Sequence, residues 1–416
     1  MIRSDTKNPT SGKELMDKND LSIETRLAHA GLDPWENEGI PNIPVYHAST
    51  VLKKTNHDAK NSDVKTGASG KYDYGRTGTP TSNALETALA SIYGMDGATI
   101  TSSGLSALTT VMLAFAKQNG HMLVSDSVYS SGRRYLTQTI PRFGVEVEFF
   151  NPRISGTDLA KLIKPNTTLI HLETPGSLTF ELHDLPALTS VARDLGVPTL
   201  LDNTWATALG LDCSALGVDI VAEAITKYVG GHSDLMMGAI VANDPLFSQV
   251  QNEARQLGQC AGPDDIYLAM RGLHTLHLRL ERSMNSSIIV ANWLKQQPEV
   301  LKVFHPALTD HPDHEIFKRD FKTGAGLFAF QLSPSESTSP DTLIDNLKLF
   351  GKGASWGGFE SLVQEAQIEN NRSLEYPREG TLIRLAIGAE DPNDLVRDLE
   401  NGFNEMRREA TSPELT

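Results

Sequence analysis

The chain has 416 residues, 39% of them hydrophobic and 21% charged, with a formal net charge of −15. That length allows two domains around a large core, and the acidic balance argues against a nucleic-acid binder, whose surface must be basic. No run approaches the roughly 20 apolar residues that span a bilayer, and the N-terminal Met-Ile-Arg-Ser-Asp stretch lacks an apolar signal core, so a cytoplasmic location is expected.

Residues 1–20 are polar and expected to be loosely attached. Residues 21–80 are rich in Pro, Gly, Asn, Asp and Thr, loosest from Asn61 to Gly70. So long a stretch with little structure of its own implies function or packing on a partner. Thr81-Ser82 predicts a helix cap, followed by Leu85, Leu89 and Ile92 on one helix ending at Gly94. Short apolar runs then predict strands at 97–102, 121–126, 144–150, 167–173, 197–202, 218–224 and 237–242. Helical patterns lie between them, such as 104–118 with Leu105, Leu108, Met112 and Phe115 on one face. Gly120, Gly144 and Gly196 mark the returns from helix to strand. This alternation predicts an α/β domain with a mostly parallel sheet covered on both faces. Such sheets bind ligands beyond the carboxyl ends of their strands. After residue 273 the pattern becomes a smaller α+β domain. It comprises a helix over 279–296, strands near 300–304 and over Gly326–Leu332, and a Ser/Pro-rich loop. A helix over 341–350, a strand over Thr381–Ile387 and a last helix capped at Asp391-Pro392 complete it.

Lys227 follows Val-Ala-Glu-Ala-Ile-Thr and precedes Tyr-Val-Gly-Gly, so it interrupts a buried-looking segment. A lone lysine is usually a solvated charge, but a buried amine loses its charge readily and becomes a nucleophile. Asp202 ends an earlier apolar run and reads either as a helix cap or as a carboxylate at a ligand site. An amine and a carboxylate at two strand ends are what pyridoxal phosphate requires. The amine forms a Schiff base with the aldehyde, and the carboxylate keeps the pyridine nitrogen protonated.

Ser102-Ser103-Gly104-Leu105-Ser106 joins a strand to a helix, and reads as an ordinary cap or a phosphate cradle. Thr226 offers a hydroxyl beside the lysine. Tyr74 and Arg76 lie in a Gly/Pro loop, where arginine suits phosphate oxygens. Tyr129, in a Ser-rich loop after a strand, is a candidate to stack on a flat ring. Arg384 within an apolar strand is a candidate clamp for a substrate carboxylate, and Gly353 to Ser361 a candidate pocket wall. His305, His311 and His314 with Glu315 match no metal-ligand spacing and read as a surface loop, so no metal is expected. His232-Ser233-Asp234 has the composition of a hydrolytic triad but not its geometry, since triads assemble in space. Cys213 and Cys260 are too few for a disulfide framework, and Cys213 reads as structural.

Taken in order, these pieces resemble the Cys/Met-metabolism family of pyridoxal-phosphate enzymes, over about residues 22–407. The resemblance implies an aspartate-aminotransferase-like fold, a homotetramer built from dimers, and pyridoxal phosphate as cofactor. The division it implies is an arm, 1–77, contacting a neighbouring subunit, a cofactor-binding domain, 78–273, and a C-terminal domain, 274–416. It makes Lys227 the Schiff-base lysine and proton shuttle, Asp202 the pyridinium partner and Tyr129 the stacking ring and catalytic aid. Gly104, Leu105 and Thr226 would hold the phosphate, joined by Tyr74 and Arg76 of a neighbouring subunit, and Arg384, Ser355, Trp356 and Tyr74 would meet the substrate. Pro175-Gly-Ser, Trp205 and Ser355-Trp356 resemble the bacterial cystathionine β-lyases within that family. They imply β-elimination of L-cystathionine to homocysteine, pyruvate and ammonia in methionine biosynthesis, with action on cystine or cysteine as well. A sister enzyme acting at Cγ is the alternative, and a catalytically silent protein of the same fold another. Ala224 and Ala354 depart from the family, which tends to have serine at the first position and, in well-known bacterial β-lyases, tyrosine at the second.

Overall fold

Leucine-, isoleucine- and valine-rich runs separated by helices form one seven-stranded sheet in the computed structural model, which describes residues 21–60, 72–334, 339–368, 372–374 and 379–411. Its strands are β1 (Gly97–Thr101), β2 (His121–Ser125), β3 (Glu146–Phe150), β4 (Thr167–Glu173), β5 (Thr199–Asp202), β6 (Ile220–Glu223) and β7 (Gly238–Ala242). All seven fall where the apolar runs place them. Their spatial order is β1-β7-β6-β5-β4-β2-β3. Every pairing is parallel except those of β7, which runs against both β1 and β6.

Successive strand residues enter opposite layers, as the period of two requires. Leu200 and Ile220 belong to one hydrophobic cluster and Leu201 and Val221 to the other. Both faces are therefore covered, which is why these strands read as continuous apolar runs.

The first helix of this domain is Pro80–Tyr93, and its cap is Thr79, not Thr81-Ser82. Thr79 and Ser82 cap each other reciprocally, with Pro80 at the first helical position, where its missing N–H costs nothing. Thr81 is buried instead, accepting from the Tyr46 N–H and donating to the Pro44 carbonyl at 2.9 Å each, so it ties the preceding segment to the helix. That segment contains short helices at Ile23–Ala28, Pro34–Glu36 and Asn56–Lys60, and leaves Trp35 and Leu52 each 88% exposed. The region read as loosest, Asn61 to Gly70, lies outside the described residues.

The C-terminal sheet contains β8 (Val300–Phe304), β9 (Leu327–Leu332), β10 (Gly351–Lys352), β11 (Leu362–Ala366) and β12 (Thr381–Ala386), in the order β10-β11-β12-β9-β8. Phe328, Phe330, Leu385, Leu399 and Phe403 give it a core of its own, with the last helix, Pro392–Thr411, packed on it. The expected helix 341–350 runs only over Pro340–Asp345. Asp398 ends it by accepting the N–H groups of Lys348, Leu349 and Phe350, an anchor on another helix that local propensity cannot show. β10 and β11, neither of them expected as a strand, flank the glycine-rich stretch that the sequence presents as a pocket wall. The histidines read as a surface loop are a further correction, for His305 and His311 are buried. His305 bonds Ser287 Oγ at 2.9 Å and His311 Nδ1 accepts the Asp313 N–H at 3.1 Å, so they serve as core hydrogen-bonding groups. Cys213 is buried, as expected. Among the described residues no helix is long and apolar enough to cross a membrane.

Candidate active site

Lys227 lies just beyond the carboxyl end of β6, in a tight turn closed by its own N–H to Ala224 O (2.9 Å) and by Gly231 N–H to Lys227 O (2.7 Å). Asp202 ends the neighbouring strand β5, paired in register with Ala222. Parallel strands with crossovers put both carboxyl ends on one edge, and this brings the two residues together. Arg279, which the sequence reading missed, holds the turn from outside. Its guanidinium donates to the carbonyls of Tyr228 (2.6 Å), Val229 (3.1 Å) and Gly272 (2.7 Å).

The Lys227 amine donates to Ser355 Oγ at 2.7 Å and lies 5.1 Å from the centre of the Trp356 ring. Ser355 and Trp356 come from the C-terminal domain, so the site is built across the two sheets. Burial, and secondly the Arg384 guanidinium, bring the Lys227 pKa down to about 8, against an opposite pull from Asp202. A lysine at that pKa supplies free amine near neutrality.

Asp202 accepts from Thr204 N (3.0 Å) and Thr204 Oγ1 (2.5 Å), both on Oδ1. No hydrogen bond among the described residues falls on Oδ2, leaving an acceptor for a ring N–H. Burial raises the Asp202 pKa, although the Thr204 bonds and Lys227 act against it. Glu173 stands beside it, paired in register across β4 and β5, and accepts the Tyr129 N–H at 2.5 Å. Burial first, then the Asp202 charge, hold the Glu173 carboxyl well above the usual range. Its signal in the sequence is an acid closing an apolar run, the same signal Asp202 gives.

Tyr129 occupies the cap position of the helix Ser130–Gln138, where a loop was expected, and is 42% exposed. Its phenol is close enough to Arg384 to favour that residue's charge. Arg384, on β12, donates through Nη2 to the carbonyls of Gly353, Ala354 and Ser355 at 3.2, 2.9 and 3.2 Å. Its Nε is buried without a partner among the described residues, and burial lowers its pKa to about 10. A buried guanidinium with a free N–H suits a carboxylate ligand.

The helix Gly104–Phe115 is capped by Ser103 in a reciprocal box with Ser106. That box uses the Ser106 N–H and leaves those of Gly104 and Leu105, in the first turn, without a protein acceptor among the described residues, as an anion site needs. A Cβ on Gly104 would meet Ala224 Cβ at 2.4 Å, so the helix start rests directly on the Ala224 methyl. The Thr226 hydroxyl is already engaged, donating to Met237 O (3.1 Å) and accepting from Met237 N (2.9 Å), so only an acceptor lone pair remains. Gln259, another residue missed, accepts from Ser102 N and Oγ at 3.3 and 3.2 Å and braces the turn.

Among the described residues, Tyr74 and Arg76 make no hydrogen bond or ion pair with this cluster. They line a cavity of about 400 Å³ with His47, Glu86, Arg255 and Cys260, where Arg76 donates to Arg255 O at 3.0 Å. Trp205 is a core residue, with its indole N–H on Leu327 O at 2.9 Å and its ring edge-on to Phe321. His232, Ser233 and Asp234 form no triad; His232 Nδ1 bonds Gly230 O and Ser233 Oγ donates to Glu360.

The donor set therefore fits pyridoxal phosphate: a partly neutral amine, a carboxylate with an open oxygen, an anion-binding helix start and a carboxylate clamp. Residues 24–404 match the family described as Cys/Met metabolism PLP-dependent enzyme. A putative cystathionine beta-lyase of Rhizobium johnstonii is 43% identical over 385 residues, 92% of this chain and 96% of its own. An L-alanine/L-glutamate racemase of Wolbachia pipientis is 39% identical over 392 residues, 91% of this chain and 96% of its own. The crystal structure of cystathionine gamma-lyase from Lactobacillus plantarum complexed with L-serine superposes with a TM-score of 0.85 at 28% identity, covering 93% of this chain and 100% of that one. The chain belongs to the Cys/Met metabolism PLP-dependent enzymes, and its cofactor is pyridoxal phosphate.

Proposed function

We propose that this enzyme is a carbon–sulfur lyase that cleaves L-cystathionine by β-elimination, releasing homocysteine, pyruvate and ammonia. The observation that carries the reading is one amine, Lys227, bonded to Ser355 at 2.7 Å, with the Arg384 guanidinium and the Asp202 carboxylate acting on its charge in opposite senses. When bound, pyridoxal phosphate supplies an aldehyde for an amine and a ring that accepts electrons from Cα.

The chain's own residues do the rest. Asp202 Oδ2 would hold the protonated ring nitrogen, and Tyr129 would lie against the ring. Gly104 and Leu105 would hold the phosphate with Thr226 beside them. Arg384 takes the substrate α-carboxylate, while Ser355 and Trp356 line the space above Lys227. Lys227 removes the Cα proton and, with Tyr129, returns a proton to the leaving sulfur as the Cβ–S bond breaks with its electron pair on sulfur. The remaining three-carbon fragment takes up water and leaves as pyruvate and ammonia.

Tyr74 and Arg76 act on a neighbouring subunit's site in a homotetramer of dimers. The cavity that Tyr74 and Arg76 line in their own chain, where Arg76 bonds Arg255 O, and the exposure of Trp35 and Leu52 support that arrangement. The division into an arm (1–77), a cofactor domain (78–273) and a C-terminal domain (274–416) belongs to the same reading, as does a cytoplasmic location.

Incubation of the purified protein with L-cystathionine and identification of the keto acid tests the reaction. Pyruvate supports β-elimination, and 2-oxobutyrate overturns it in favour of cleavage at Cγ. The activity named for the Wolbachia relative is checked in parallel with L-alanine. Conversion to D-alanine without any pyruvate from cystathionine sinks the lyase reading. A colourless protein that no added cofactor turns yellow points to a silent fold.

A further inference from the structure

The loop carrying Ser355 and Trp356 belongs to the C-terminal domain, yet both residues act against a lysine on the other domain. On its own side the loop is well held. Arg384 bonds three of its carbonyls, the Ser361 N–H and Oγ donate to the two oxygens of Glu390 at 2.7 and 2.9 Å, and Ala389 N–H reaches Phe359 O at 2.8 Å. What registers it against the Lys227 turn is a second set of contacts. Gly357, at φ +86°, lies on the Lys227 backbone so closely that a Cβ there would stand 2.9 Å from Lys227 C and from Tyr228 N. Next to it, Ser233 Oγ donates to Glu360 Oε1 at 2.6 Å. Ser233 holds φ +57°, a left-handed conformation that a residue with a Cβ rarely adopts. A Cβ on Gly358 would lie 2.2 Å from that same Ser233 hydroxyl, so the two loops interlock. Glu360 Oε2 is buried and has no partner among the described residues, which leaves the Ser233 bond as the carboxylate's side-chain anchor.

We propose that the Ser233–Glu360 hydrogen bond is an interdomain clasp, and that both are positioning residues that set Ser355 and Trp356 against the cofactor lysine. The clasp gives the left-handed backbone at Ser233 a use, since it stands where the hydroxyl meets the carboxylate, beside the turn that the Gly231 N–H closes on Lys227 O. The proposal rests on the assignment of Lys227 as cofactor lysine, but not on which carbon–sulfur bond is cleaved.

The test is a double-mutant cycle on the holoenzyme, read out by the cofactor dissociation constant, kcat and KM. Ser233→Ala and Glu360→Ala should each weaken cofactor retention and lower kcat by about tenfold, the scale of one hydrogen bond to a charged group. The double variant should be no worse than either single, since both delete the same bond. Glu360→Gln, which keeps an acceptor for Ser233, should restore kcat to within about threefold. Additive losses, or an unrescued Glu360→Gln with Ser233→Ala unaffected, overturn the clasp. Should Glu360→Ala fail to fold, Glu360→Asp, which withdraws the carboxylate by one methylene, replaces it in the cycle. Cofactor retention is independent of product identity, so a coupled loss of retention in an enzyme that makes no pyruvate keeps the clasp and removes only the cystathionine reading.

Discussion

Lys227 Nζ and Ser355 Oγ stand 2.7 Å apart although their positions differ by 128 in the chain. The contact joins the end of β6 in the seven-stranded sheet to the loop before β11 in the five-stranded one. The amine's protonation depends on both sheets as well, because Arg384, which helps lower its pKa to about 8, lies on β12.

Replacing that lysine should remove both binding chemistry and proton transfer. Lys227→Ala is expected to lose the visible absorbance that the bound cofactor gives and at least about 1000-fold in kcat, more than 4 kcal/mol of barrier. Spectra and single-turnover rates check it, and a fully coloured, active variant would contradict the assignment.

The depressed lysine also has a pH signature. In cofactor-free protein, capture of pyridoxal phosphate should rise as Lys227 deprotonates, with a midpoint near 8, not at the ordinary lysine value. Arg384 is one cause of the depression, so Arg384→Gln should move the midpoint upward. Stopped-flow capture rates across pH read both. An unmoved midpoint means burial alone sets the value.

Arg384 should govern substrate affinity. One nitrogen, Nη2, already serves three carbonyls while Nε lacks a partner, so Arg384→Lys removes the fork that a carboxylate needs. KM should rise by about 100-fold, roughly the 2.7 kcal/mol of a lost charge-assisted bond. Steady-state kinetics with L-cystathionine decide it.

Asp202→Asn should keep the Thr204 hydrogen bonds and lose the charge. Cofactor retention and kcat are expected to fall by about 100-fold or more, whereas Thr204→Ala, which removes one of the two bonds to Oδ1, should cost about tenfold. Dialysis of the holoenzyme followed by residual absorbance separates the two.

Trp205, although a subfamily signature, should affect stability and not the choice of product. Trp205→Phe leaves the Leu327 carbonyl without its indole donor and thins the contact with Phe321, for a cost of about 1–3 kcal/mol. Thermal unfolding should show the loss while the keto acid formed from cystathionine stays the same.

The sequence by itself determined the seven strands of the large sheet, because both faces of a covered sheet are apolar and leave uninterrupted runs such as Met122–Val124. It also marked Lys227, Asp202 and Arg384, since a charge amid an apolar run costs too much to be there without use. What only the tertiary structure decided are contacts between distant segments: Glu173 beside Asp202 through strand register, Gln259 under the Ser102 turn, Arg279 around the lysine turn, and Ser233 on Glu360. Asp398, which ends the helix at Asp345, and the burial of His305 and His311 belong with them. Each depends on which surfaces pack together. A local pattern records the period of burial along one segment, but not the partner that a polar group meets when two segments close.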